Sequence, residues 1–200
     1  MIEFIADELS LLLVVNKIIP IEKRKYYIYG IELILHDLLI FLMVAVIAFI
    51  THTIFLSALF TLGFCLLRAY TGGYHSKSYA GCYVTAMINY FLLLGFNSVL
   101  GEYKLYVIWI MMILSVPIIW KFSPIKHINN PFDENEKNKY KKVSRKLIII
   151  ISLVFVISAL FLSDDIAFAF AWTIFATALL MLLAIILQKK EEISDDETVS

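Results

Sequence analysis

Cysteine is scarce in this chain. Cys65 and Cys82 are the two it has, too few for a disulfide framework, and a reducing cytosol would keep both as thiols. Met1–Asp7 lacks a basic n-region, and no A-x-A-like site follows the short apolar run Leu11–Val15. No cleavable signal peptide is therefore expected. Internal repeats and low-complexity tracts are missing as well, which removes the sequence mark of many secondary transporters. Neither HExxH nor CxxC spacing occurs, so a zinc site built from His36, His75 and Cys82 has no pattern behind it. No metal, no cofactor and no nucleic-acid partner are expected.

What the chain has in abundance is apolar length. With 61% hydrophobic residues over 200 positions and a mean hydropathy of +0.84, it reads as one all-α integral membrane domain spanning 1–200. No soluble core could hide that much apolar surface. About six transmembrane helices are predicted, at Leu33–Ile50, Thr53–Leu67, Cys82–Leu100, Leu105–Trp120, Leu147–Leu162 and Ile166–Leu187. Four full spans with a re-entrant middle pair is the alternative. The segment 1–30 precedes the spans, which fill 31–188, and a charged tail, 189–200, follows them and is expected to be disordered.

Charge sets the orientation. Of the 17 Lys and Arg residues, all but Lys104 fall on one side if the N-terminus is cytoplasmic, the pattern the positive-inside rule describes. Both termini and the loop 68–82 are then cytoplasmic. Ahead of the first span, Ile2, Ile5, Leu9 and Leu12 recur at helical spacing while Glu3, Asp7 and Ser10 share another face. That pattern suits an amphipathic helix lying on the inner leaflet, or one packed on the protein's own surface.

The stretch RAYTGGYHSKSYAGCY, 68–83, gathers chemistry at the edge of a span. On a continuous helix His75 and Cys82 would lie about 10.5 Å apart along the axis, too far for an imidazole–sulfur contact. The chain must bend between them. Gly72, Gly73 and Gly81 permit unusual backbone angles, and Ser78 is a candidate N-cap that would put Cys82 in the first turn of the third span. Unpaired N–H groups and the helix dipole there favour a thiolate and could hold an oxyanion. The pair suits a nucleophile and its base; an idle thiol and an interfacial histidine are the other reading.

Arg68, Gly72-Gly73, His75 and Cys82, within a chain of this length with an amphipathic start and six apolar segments, resemble the accessory gene regulator protein B family. A second stretch, SPIKHINNP at 123–131, is similar to the Pro-rich, Asn-containing segment that many members carry after the fourth span. The resemblance implies a multi-pass protein of a bacterial cell membrane, a cysteine endopeptidase that matures quorum-sensing peptides. Its nucleophile and catalytic histidine fall on Cys82 and His75. It implies as partner a small amphipathic, AgrD-like precursor peptide with an internal cysteine, besides the lipid bilayer, and it is compatible with a homodimer. Cleavage would pass through an acyl-enzyme thioester, which the peptide's own cysteine then displaces to close a thiolactone.

Other ionisable groups have two readings each. Arg68 either clamps a peptide carboxylate or marks the end of its span. Asp37 or Glu32 could orient the His75 imidazole as a third member, or snorkel to the interface together with His36. Cys65, read as buried in apolar surroundings, is expected to be structural. A peptide exporter or a non-enzymatic scaffold would also account for the spans, but an exporter predicts polar residues threaded through several helices. These helices are free of charge apart from the ends of the first.

Overall fold

The computed structural model describes residues 2–73, 79–125 and 134–199. It is helical throughout, with no strand among the described residues. The α-helices are α1 (Ile2–Val15), α2 (Arg24–Ile50), α3 (Ile54–Thr71), α4 (Tyr79–Val99), α5 (Lys104–Phe122), α6 (Glu134–Phe161) and α7 (Asp164–Val199). Six of them, α2 to α7, are long and apolar enough to cross a membrane. The expectation of six spans after an N-terminal helix therefore holds.

The bundle is organised around α7. Half of its apolar window is buried inside the protein, against 11–28% for the other five, and α3, α4, α5 and α6 all pack on it. Its buried face runs through Ala167, Ala171, Ala178 and Ala184, interleaved with Phe168, Trp172, Ile174 and Met181. Small residues let neighbouring backbones approach closely, which is how helices gain packing energy where lipid offers no hydrophobic contrast. Gly63 of α3 does the same from the other side: a Cβ there would meet Thr173 Cγ2 at 3.3 Å. By contrast α2 and α4 pack lightly on the other spanning helices, and the large apolar side chains they leave exposed, such as Leu42, Phe49 and Phe91, suit contact with lipid acyl chains.

Ion pairs and turns separate the two ends of the bundle. At one end Lys104 donates to Asp165 at 2.6 Å, joining the starts of α5 and α7, close to the turn at His52 and Thr53. At the other end the Tyr70 and Tyr140 rings meet, the Arg145 guanidinium lies 4.7 Å from the centre of the Trp120 ring, and Ser123 donates to Ser144 at 2.8 Å.

Of the two readings of the N-terminal helix, packing on the protein's own surface is what the structure describes. Ala6 and Ser10 are buried, and Arg24 of α2 reaches the Asp7 carboxylate at 2.7 Å and Ser10 Oγ at 3.1 Å. Ile5, Leu9 and Leu12 remain exposed on the outward face.

Helix ends depart from the expected boundaries. The first spanning helix starts at Arg24 rather than Leu33, and α6 at Glu134 rather than Leu147. The tail from Lys189, expected to be disordered, continues α7 to Val199. For α6 and α7, good helix formers such as Glu and Lys extend the helix past the apolar run. The acidic first turn of α6, Glu134 and Glu136, also suits its helix dipole.

Candidate active site

Cys82 stands in the first turn of α4, as the sequence predicts, and it lines a cavity of about 290 Å³. Four helices wall this cavity at helical spacing. They are α2 through Asp37, Ile40, Phe41 and Val44, α3 through Phe60, Thr61, Phe64, Cys65, Arg68 and Ala69, α4 through Cys82, Thr85, Ala86, Asn89 and Tyr90, and α7 through Leu180. The light packing of α2 and α4 leaves this space open between them.

The polar groups concentrate at one end. Arg68 occupies the last turn of α3, half-buried, with its guanidinium 5.7 Å from the centre of the Phe64 ring. It lies within electrostatic range of Asp37, Cys65 and Cys82. The charge therefore sits beside the thiol as well as at the end of a span. Asp37 faces the same space from α2, whereas Glu32, one and a half turns earlier, is not among the lining residues. Beside the cavity, His36 Nδ1 and the Tyr83 hydroxyl are 3.0 Å apart with their rings edge-on, tying α2 to the residue after Cys82.

Deeper in, the walls carry no charge, and hydrogen bonds brace polar side chains among them. Tyr90 is fully buried and shares a 2.7 Å hydrogen bond with Ser57. Trp172 Nε1 donates to Asn89 Oδ1 at 3.0 Å. Thr85 closes onto the Gly81 carbonyl at 2.8 Å.

The glycine pair turns the chain out of α3. Gly72 has φ +68° and Gly73 φ +140°, backbone angles that side chains rarely adopt. A Cβ on Gly72 would stand 2.7 Å from the Ile125 carbonyl oxygen, and the Ile125 N–H donates to the Thr71 carbonyl at 2.9 Å. The start of the first stretch and the Ser123–Ile125 part of the second are thus in backbone contact. His75, Lys77 and Ser78 lie outside the described residues, as does 126–131 of the second stretch.

Cys65 differs from the sequence reading. It is exposed rather than buried and lines the cavity alongside Cys82. Its place three residues before Arg68 was the available signal, since i and i+3 share a helix face.

Residues 3–188 match the family model of accessory gene regulator B. The chain belongs to that family. An AgrB-like protein of Clostridium beijerinckii is 29% identical over 168 residues, covering 82% of this chain and 79% of that protein. No solved structure matches. Membership and the six apolar helices make the chain a multi-pass membrane protein of the accessory gene regulator system.

Proposed function

We propose that this accessory gene regulator B protein is a membrane cysteine endopeptidase that trims a small precursor peptide and releases its remainder as a thiolactone. The observation that carries this reading is the setting of Cys82: a thiol in the first turn of a helix, opening into a cavity that also holds Arg68 and Asp37. The first backbone N–H groups of a helix generally lack an intrahelical acceptor, so they favour a thiolate and can stabilise the oxyanion formed during attack.

In this reading His75 is the base. It takes the proton of the Cys82 thiol as sulfur attacks the peptide carbonyl, then gives it to the departing amine as the C–N bond breaks. The acyl group stays on sulfur as a thioester. The thiol of the peptide's own cysteine next attacks that carbonyl, its proton passes back to the Cys82 sulfur, and the ring closes. One thioester replaces another, so little bond energy changes. The uphill step is the first, amide to thioester, and loss of the released fragment into the cytosol draws it forward.

The end that carries Arg68 and Cys82 faces the cytoplasm, together with both termini, as the distribution of lysine and arginine supports. The precursor peptide docks on the inner leaflet through its amphipathic leader, beside the outward apolar face of α1. Protein reconstituted in liposomes and incubated with its precursor peptide tests the assignment by mass spectrometry. Cys82→Ala abolishes cleavage and Cys65→Ala preserves it; the reverse result would reassign the nucleophile.

A further inference from the structure

The cavity beneath Cys82 has a shape that a nucleophile and base alone do not require. Its volume is about 290 Å³, at the floor of the range for small-molecule sites and too small for a folded peptide segment. It suits one or two large side chains. Its composition is graded along the helices: the charged Asp37 and Arg68 lie with Cys82 at one end, then come Phe41, Phe64, Thr85 and Ala86, then Val44, Phe60, Asn89 and Tyr90, with no charged group beyond the first level. From Cys82 to Tyr90 the wall descends about 12 Å, at the rise of an α-helix.

We propose that this cavity is the specificity pocket for the residue on the acyl side of the cleaved bond, and that it selects a large aliphatic or aromatic side chain there. The inference rests on the peptidase reading above. Topology of the reaction assigns the pocket to the acyl side. The leaving fragment has to depart into water, and a space walled by four helices would retain it. The acyl group stays bonded to the Cys82 sulfur and profits from being held. Asp37 and Arg68 near the thiol leave the carbonyl and backbone in a polar setting, while the side chain passes inward to phenylalanine and aliphatic walls. One hydroxyl, Thr61 Oγ1, is buried there without a hydrogen-bond partner. Ala86 sits one turn below Cys82 on α4, so its small side chain governs how wide the pocket is.

The test uses amino-acid chloromethyl ketones on the Cys65→Ala protein in liposomes, so that Cys82 is the sole thiol. The Cys82 thiolate displaces chloride from the reagent, forming a C–S bond and releasing chloride ion, with no other reactant needed. N-acetyl-phenylalanyl and N-acetyl-leucyl reagents label Cys82 at least about tenfold faster than the N-acetyl-alanyl reagent, since each added methylene in an apolar pocket is worth about tenfold or more. Iodoacetamide, which needs no pocket, measures thiol reactivity in parallel. Ala86→Leu narrows the pocket: the preference falls to within about twofold while the iodoacetamide rate is unchanged. Equal rates for the three reagents without the Ala86 substitution, or a preference that survives Ala86→Leu, would overturn the pocket. Neither result touches the role of Cys82, which cleavage by the Cys82→Ala protein decides separately.

Discussion

Gly72→Ala is the substitution for which the structure gives the clearest magnitude. At φ +68° and ψ −158° the backbone occupies a region that is essentially open to glycine alone, and a side chain held there costs about 1–3 kcal/mol. The added methyl group would also stand 2.7 Å from the Ile125 carbonyl oxygen, a backbone atom that cannot rotate away, and overpacking of this kind adds about 1–3 kcal/mol. The sum, about 2–6 kcal/mol, is a large share of the ~5–15 kcal/mol that holds a typical protein together. At about 2 °C per kcal/mol for a chain of this size, Tm falls by at least about 4 °C. The turn also stands between α3 and His75 in the sequence, so cleavage drops further than stability alone requires. Thermal unfolding in detergent, followed by tryptophan fluorescence, and peptide cleavage in liposomes measure the two effects. Gly30→Ala is the control, because a Cβ there meets nothing within 4 Å and alanine favours a helix by about 0.5–1 kcal/mol. Equal Tm and equal cleavage for Gly72→Ala and wild type would refute this account of the turn.

Three further outcomes are expected. Asp37→Asn slows cleavage while Glu32→Gln leaves it unchanged, because only the first of these carboxylates lines the cavity; equal effects in the two variants would remove the cavity from the explanation. Trp172→Phe takes away the donor to Asn89 Oδ1 and destabilises the protein by about 1–3 kcal/mol, read as a Tm shift against Trp109→Phe. Single cysteines placed near Lys139 are labelled only from the cytoplasmic side, and those near Glu102 and Asp164 only from outside; external labelling at position 139 in intact cells would invert the topology.

The spans were legible because a membrane imposes one strong requirement, about twenty apolar residues in a row. Their ends were not, since α6 and α7 run on through Glu134–Lys146 and past Lys189 in residues that favour helix without favouring lipid. Cys82 in a first helical turn followed from the glycines and serine before it. The cavity could not be read, because it arises where faces of four helices meet, and no pattern within one helix records its neighbours. Asp37 stood out as a carboxylate inside a span. Cys65 was misjudged as buried because its neighbours Phe64, Leu66 and Leu67 are apolar, a local cue that a lightly packed bundle overrides.

The central claim is that Cys82 carries the acyl group. Wild-type protein in liposomes, mixed with a precursor peptide whose ring-forming cysteine is replaced by alanine, lacks the internal acceptor and should hold the intermediate long enough to weigh. Intact-mass spectrometry under denaturing, non-reducing conditions then shows the protein heavier by the acyl fragment, the increase is lost on treatment with hydroxylamine, and fragmentation places it on Cys82. An adduct on any other residue, or a mature thiolactone made from the normal peptide by Cys82→Ala protein, would contradict the account.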